Sequence, residues 1–126
     1  MSSPQLPALR IGDLEINPPI IQGGMGVRVS RARLAAAVAN QGCAGVIATV
    51  GLGRFEDHPG AQYVRINGAG LRDEIRRART MTSGVLGVNV MVALTDYANL
   101  ARVAAAEDVD LIISGAGLPL DLPSFV

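Results

Sequence analysis

The sequence predicts an α/β fold in which buried parallel strands alternate with helices. Hydrophobic residues make up 49% of the 126-residue chain and aromatic residues only 3%. The core must therefore consist of Val, Ile, Leu and Ala, which is typical of a parallel sheet covered by helices. In addition, apolar runs at 19–26, 85–91 and 111–117 each end in small residues. Such runs are expected where a buried strand ends and a ligand-binding loop begins.

The first part of the chain predicts a hairpin followed by a strand and a helix. Residues 9–16 alternate apolar and polar around Gly12-Asp13, which predicts a small hairpin. The first buried strand is predicted at Ile20-Ile21. A helix is predicted over 31–39, with Ser30 as its N-cap and Gly42 just past its end. Residues 44–50 predict the second strand.

The second part of the chain predicts two further helices, each followed by a strand. The polar stretch 54–70 is interpreted as a loop, and the next helix is predicted over 71–79. Its acids lie early and most of its arginines late, as the helix dipole favours, and Asp73 and Arg77 are spaced for an ion pair. A strand is predicted at 85–90, a helix at 96–106 after a Thr95 cap, and a strand at 109–113.

The predicted order β-α-β-α-β-α-β fits two architectures, an open doubly wound sheet and the first half of an eight-stranded barrel. A self-contained open sheet would usually complete its last unit, but no helix is predicted after the fourth strand. We therefore expect residues 1–126 to form the N-terminal part of a (β/α)8 TIM barrel. This fold takes about 250 residues, so the domain would be partial and its last unit incomplete.

Composition excludes several functional classes. The net charge is zero, which favours neither nucleic acid nor an acidic membrane as a partner. All eleven basic residues are arginine, so no lysine exists to form a Schiff base or a phosphate-binding loop. Cys43 is the single cysteine, which fits a reducing compartment. No signal peptide or membrane span is recognisable, and we expect a cytoplasmic protein.

Candidate binding residues lie at the ends of three predicted strands. They are Gly23, Gly24 and Met25, then Asn89, and finally Gly115, Ala116 and Gly117. The glycine loops are either tight turns or surfaces whose N–H groups approach a planar or anionic ligand. The Asn89 amide is either a structural clamp or reads the polar edge of a ring. His58, Cys43 and Ser114 have no partners in the sequence that would support metal binding or nucleophilic catalysis.

Together these three segments resemble the nitronate monooxygenase family, also called 2-nitropropane dioxygenases. FMN-dependent enoyl-ACP reductases are similar in the same places. The resemblance implies a TIM barrel that binds FMN across its carboxyl strand ends. Gly23, Gly24, Met25 and Asn89 would then border the flavin, and the loop at Gly115, Ala116 and Gly117 would line the same pocket.

The resemblance also implies a reaction, in which FMN oxidises alkyl nitronates with O2 to a carbonyl compound and nitrite. The family's histidine base and phosphate site belong to the second half of the barrel, and His58 does not match that histidine. The chain is therefore expected to be truncated, with no catalytic residue assignable. The alternatives are an enoyl-ACP reductase, a small-molecule binding domain with an open sheet, and an inactive fragment. Such a fragment would form homo-oligomers through its open sheet edges.

Overall fold

A computed structural model describes residues 5–54 and 62–126. The described chain begins with an antiparallel hairpin of β1 (Leu9–Ile11) and β2 (Leu14–Ile16), in which Leu9 pairs with Ile16. Gly12 occupies the turn with φ of +57°, a conformation that glycine adopts without strain. The predicted hairpin is confirmed.

The central sheet is parallel and its strands follow one another in chain order. It consists of β3 (Gly45–Ala48), β4 (Leu86–Met91) and β5 (Leu111–Gly115). The predicted buried strand at Ile20-Ile21 is reduced to one parallel bridge between Ile21 and Ala44. It is also exposed, at 53% for Ile20 and 40% for Ile21. Its burial was wrongly predicted because nothing in the described chain covers the outer side of this edge segment.

Helices α1 (Ala32–Ala39), α2 (Tyr63–Met81) and α3 (Tyr97–Ala106) form one layer, in which α2 packs against both α1 and α3. Their apolar faces share one core with Leu86, Val88 and Val90, the alternate residues of β4. Within the described ranges, the helices therefore cover a single face of the sheet. A doubly wound sheet would carry helices on both faces, so this alternative is not supported.

The helix-free face of the sheet carries the other set of alternate residues. Ala48, Asn89 and Ile113 lie in register across the three strands on this face. Asn89 lies near the carboxyl ends of the strands, where the loops that follow them begin. This face positions the candidate site.

The predicted helix caps are wrong by a single residue. Arg31 is the N-cap of α1 in place of Ser30, and Asp96 is the N-cap of α3 in place of Thr95. Neither cap residue forms a side-chain hydrogen bond to the start of its own helix. Instead, a carboxylate oxygen of Glu74 on α2 accepts a hydrogen bond of 2.8 Å from the Ala32 N–H at the start of α1. Gly42 does adopt positive φ, +85°, after the C-cap Asn40.

The predicted loop 54–70 is wrong from Tyr63 onward, because α2 starts there and not at Leu71. Gly68 and Gly70 lie inside this helix. A Cβ atom at Gly70 would lie 2.6 Å from the Leu52 carbonyl oxygen, and one at Gly68 would lie 2.6 Å from Asn99 Nδ2. Gly70 is therefore needed for close packing against backbone, whereas Gly68 meets the end of a side chain. His58 falls outside the described residues.

The arginines of α2 form contacts with acidic residues at the end of α3 and just beyond it. Arg72 and Arg76 both donate to Glu107, and Arg79 contacts Asp110 at 2.9 Å. These contacts join α2 to the segment that follows α3. Asp73 and Arg77 share a face of α2, yet among the described residues they form no direct ion pair.

Two further observations bear on the expectations from composition. Cys43 is buried and forms no disulfide, as expected of a small core residue. None of the helices in the described ranges is long and apolar enough to cross a lipid bilayer.

Candidate functional site

The first loop of the site begins with Gln22, whose side-chain amide makes hydrogen bonds of the kind that a strand backbone makes. The Gln22 Nε2 donates to the Val46 carbonyl at 3.2 Å, and the Val46 N–H donates to Gln22 Oε1 at 3.1 Å. The Gln22 amide therefore pairs with β3 as a neighbouring strand would. It satisfies the backbone groups at the outer edge of β3 and fixes the point at which the glycine loop begins.

Ser30 closes the same loop at its other end. Its buried Oγ accepts a hydrogen bond from the Met25 N–H at 2.9 Å and another from Gln22 Nε2 at 3.1 Å. The Ser30 N–H donates to the Met25 carbonyl at 2.9 Å, and the Ala48 N–H donates to the Ser30 carbonyl at 3.0 Å. Met25 is thus held by its backbone while its side chain remains 52% exposed.

Gly24 and Asn89 come together at the centre of the site. A Cβ atom at Gly24 would lie 2.7 Å from Asn89 Cβ and 3.6 Å from Ala48 Cβ. Only glycine allows the loop to approach the helix-free face of the sheet this closely. A Cβ atom at Gly23 would meet nothing within 4 Å. Gly23 therefore borders open space while Gly24 is packed against the sheet.

Several polar groups here have no partner within residues 5–54 and 62–126. The Asn89 side-chain amide is half-buried and makes no hydrogen bond to a described residue, although its backbone carbonyl accepts from the Thr49 N–H at 3.2 Å. The backbone N–H groups of Gly23 and Gly24 likewise donate to no described residue. Half-buried polar groups without partners are available to a ligand.

The third loop of the site follows β5. Gly115 lies in register with Met91, two residues beyond Asn89 on the same face of the sheet. The Val92 N–H donates to the Gly115 carbonyl at 2.8 Å, and Gly117 packs against Val92. Ala116 has a φ of +55°, which is uncommon for a residue with a side chain. A Cβ atom at Gly115 would meet nothing within 4 Å, so this loop also borders open space.

A buried polar network supports the site from the helix side. The Asn67 side chain on α2 is fully buried, and its Nδ2 donates to the Thr49 carbonyl and to Asp96 Oδ2 at 2.7 Å. Its Oδ1 accepts from the Leu52 N–H at 2.9 Å. This network ties the loop after β3 to the start of α3. Burial, with a smaller contribution from the Asp96 charge, raises the pKa of nearby Tyr63.

Two further observations concern Ser114 and the residues that could bind a metal ion. The Ser114 hydroxyl bonds the Tyr97 hydroxyl at 2.9 Å on the helix side, away from the loops. Ser114 therefore lies on the opposite face of the sheet from Asn89. Across the part of the chain that the structure describes, no group of His, Cys, Asp and Glu could hold a metal ion.

Fold and geometry together define an α/β protein whose candidate ligand site lies at the carboxyl ends of parallel strands. A family model described as nitronate monooxygenase matches residues 8–113. The chain therefore belongs to the nitronate monooxygenase family, as the three strand-end motifs predicted. No curated protein sequence matches it.

The solved structures that are similar to this chain include two of FabK. FabK from Thermotoga maritima is 28% identical with a TM-score of 0.64, and its M276A mutant is 30% identical with a TM-score of 0.65. Each match covers 82% of this chain but only 29% and 30% of the respective FabK chain. The chain thus spans about three tenths of the length of these structures.

The sequence did not point to two of the residues that build the site, Gln22 and Ser30. Ser30 was interpreted as a helix cap and Gln22 as part of a glycine turn. The available signal was a polar amide directly after an apolar run, where an unpaired strand edge needs donors and acceptors.

Proposed function

We propose that this chain supplies the ring-facing side of an FMN site in a nitronate monooxygenase. Its sheet would be the first part of a (β/α)8 barrel. The consecutive strand order and the single helix layer support the barrel, since a closed barrel has all its helices outside. The whole protein would take a small alkyl nitronate and O2 and release a carbonyl compound and nitrite. Membership of the nitronate monooxygenase family supports this reaction.

The observation that carries the proposal is the unpartnered Asn89 amide beside Gly24. An amide both donates and accepts, so it can pair with the alternating N–H and C=O groups at the edge of a flavin ring. The open space at Gly23 and Gly115 leaves room for a planar group. The described residues therefore fit the ring of FMN, with Gly23, Gly24, Met25, Asn89 and the loop at Gly115, Ala116 and Gly117 around it.

FMN, when bound, supplies the redox chemistry of the reaction. The residues of this chain hold and orient the ring. Asn89 would hold the polar edge of the ring, and the N–H groups of Gly23 and Gly24 would be available as hydrogen-bond donors to it. The exposed Met25 side chain offers a soft apolar contact that excludes water from one side. The clamp of Gln22 and Ser30 keeps the loop in place.

The proposal is tested by titrating the purified protein with FMN and following flavin fluorescence. Asn89→Ala is expected to raise the Kd for FMN about tenfold, because it removes hydrogen bonds to the ring. Asn40→Ala is the matched control, since the Asn40 amide bonds the Met81 carbonyl at the opposite end of α1. Equal FMN affinity in Asn89→Ala and wild type would show that Asn89 is not a ring contact.

A second candidate is an FMN-dependent enoyl-ACP reductase, which the same strand-end motifs also resemble. The similarity to the FabK structures supports the reductase as a second candidate. One experiment with the FMN-loaded protein distinguishes the two reactions. Oxygen uptake driven by ionised 2-nitropropane supports the monooxygenase, and oxidation of a reduced nicotinamide in the presence of an enoyl thioester supports the reductase.

A further inference from the structure

A series of buried hydrogen bonds connects the start of α3, through α2, to the backbone of Asn89. The Asn67 Nδ2 on α2 donates to Asp96 Oδ2 at 2.7 Å and to the Thr49 carbonyl at 3.1 Å. The Thr49 N–H then donates to the Asn89 carbonyl at 3.2 Å. Thr49, Asn67 and Asp96 are each at most 1% exposed. A single residue, Thr49, therefore separates the Asn67 amide from Asn89.

The Asn67 amide also closes the turn that follows β3. Its Oδ1 accepts a hydrogen bond from the Leu52 N–H at 2.9 Å, so one side chain bonds the backbone on both sides of Gly51. Gly51 has a φ of +68°, which lets the chain turn sharply here. Buried backbone groups need such partners, and neither Thr49 nor Leu52 is more than 5% exposed. Asn67 therefore fixes this turn against α2.

The polar groups of this series are costly to the fold. Thr49 Oγ1 and Asp96 Oδ1 are buried and have no hydrogen-bond partner among residues 5–54 and 62–126. A buried polar atom without a partner lowers stability, and apolar side chains of the same shape would avoid this loss. Residues that reduce stability are expected at functional sites. A functional role therefore accounts for these residues better than core packing does.

Asp96 determines which way the Asn67 amide faces. A carboxylate oxygen accepts hydrogen bonds, so it favours the orientation in which Nδ2 points towards Asp96 and Thr49. A flipped amide would place Oδ1 against the Asp96 carboxylate and the Thr49 carbonyl, and Nδ2 against the Leu52 N–H. The neighbours of Asn67 thus specify that it donates to Thr49.

We propose that Asn67 is a positioning residue for Asn89. Through Thr49 it fixes the backbone of Asn89, and so the direction in which the Asn89 amide leaves the sheet. Asp96 supports this role by orienting Asn67. The inference rests on the proposed contact between Asn89 and the flavin ring, and it extends that site into the helix layer.

The test is a double-mutant cycle, in which FMN is titrated into the full chain carrying Asn67→Ala, Asn89→Ala or both. Asn67→Ala is expected to raise the Kd for FMN about fivefold. In the Asn89→Ala background the same substitution should change the Kd less than about twofold, because Asn67 acts through Asn89. The visible absorption band of bound FMN should shift in the same direction in both single variants, and no further in the double variant.

Asn99→Ala is the matched control. The Asn99 Nδ2 donates to the Val64 carbonyl at 3.1 Å, so this asparagine also joins α3 to α2. Its bond connects two helices and includes no residue of the sheet. Asn99→Ala should therefore change the Kd for FMN less than about twofold and leave the absorption band unchanged.

Asn67→Asp combined with Asp96→Asn separates positioning from packing, and replaces Asn67→Ala if that variant fails to fold. The exchanged pair retains the hydrogen bond between α2 and α3, because the new amide at position 96 donates to the new carboxylate at position 67. The acceptor for the Leu52 N–H is also retained. Only the donor to the Thr49 carbonyl is lost. A Kd raised about fivefold would support positioning by Asn67, and a Kd equal to that of wild type would overturn it.

The cycle distinguishes failure of this inference from failure of the flavin site. Additive effects of Asn67→Ala and Asn89→Ala would overturn the inference, since Asn67 would then act on FMN independently of Asn89. Equal FMN affinity in Asn89→Ala and wild type would instead overturn the proposed ring contact.

The position of the Asn89 amide is also measurable without FMN, from its side-chain signal in amide NMR spectra of the ligand-free chain. Asn67→Ala and the exchanged pair should each shift this signal, whereas Asn99→Ala should not. An Asn89 signal that stays unchanged in the Asn67 variants would overturn the positioning role whether or not FMN binds.

Discussion

Gly24 lies directly against the side chain of Asn89, so that a Cβ atom at Gly24 would be 2.7 Å from Asn89 Cβ. These two residues are far apart in the sequence and belong to different strand-end motifs. Their contact unites the first motif and the second motif in one site. It also defines which of the two neighbouring glycines is needed for packing and which is free to face a ligand.

Gly24→Ala is therefore expected to destabilise the protein by about 1–3 kcal/mol, because the loop must move away from Asn89. FMN binding should weaken with it. Gly23→Ala is the matched control for stability, since its Cβ would meet nothing within 4 Å. It should change the free energy of unfolding by less than about 0.5 kcal/mol. Urea denaturation measures both, and equal effects of the two substitutions would contradict the structure.

Ser30→Ala tests the clamp on the glycine loop. The substitution leaves the Met25 N–H and one Gln22 donor without the buried Ser30 Oγ. We expect a loss of about 1–2 kcal/mol in stability and a weaker affinity for FMN. Ser83→Ala, at an exposed position that bonds no described residue, is the control. If Ser30→Ala left both quantities unchanged, the loop would be held by contacts other than this hydroxyl.

The order of strands and helices was predicted well from local sequence patterns. The core residues of each element recur at a regular spacing within one short stretch of the sequence. Leu86, Val88 and Val90 alternate within one run, and the hairpin is specified by Gly12-Asp13 between alternating residues. The start of α2 was mispredicted because Gly68 and Gly70 are breakers by local rules alone. Their role depends on Asn99 and Leu52, which no local pattern connects to them.

The candidate site was predictable only in part, for the same reason. The glycine loops follow apolar runs and are visible in the sequence. The partners that fix them are not, since Gln22 bonds Val46 across 24 positions. Likewise Glu74 caps α1 from α2, across 42 positions from Ala32. The long-range contact from Glu74 thus takes the capping role that local rules gave to Ser30.

Glu74→Ala is expected to lower stability by about 2–3 kcal/mol. The buried carboxylate accepts hydrogen bonds from the Ala32 N–H and from Arg31. Its removal leaves the Ala32 N–H in the first turn of α1 without this acceptor. The Arg31 side chain is 43% exposed, so solvent limits the loss on that side. Asp73→Ala removes the exposed neighbouring acid and should cost less than about 0.5 kcal/mol. Comparable losses in both variants would rule out a specific cap by Glu74.

The Glu107 cluster makes stability depend on pH. Hydrogen bonds from Arg76, the Arg76 charge, and then Arg72 hold the pKa of Glu107 below its ordinary value of 4.5. Because the folded pKa is the lower one, the stabilisation is fully present above about pH 4.5. It is lost as the pH falls through the folded pKa. Glu107→Gln should therefore be less stable than wild type at pH 7, and the difference should shrink steadily below pH 4.5.

Urea denaturation of both proteins between pH 3 and pH 7 measures this difference. Asp121→Asn serves as the control, because Asp121 forms no salt bridge with any described residue and its replacement should leave the pH profile unchanged. Added salt should reduce the gap between Glu107→Gln and wild type at pH 7, since Arg76 is exposed and its attraction to Glu107 is screened. If the difference in stability between wild type and Glu107→Gln stayed constant from pH 3 to pH 7, the charge of Glu107 would play no part in joining α2 to the end of α3. Glu107 would then contribute through packing alone.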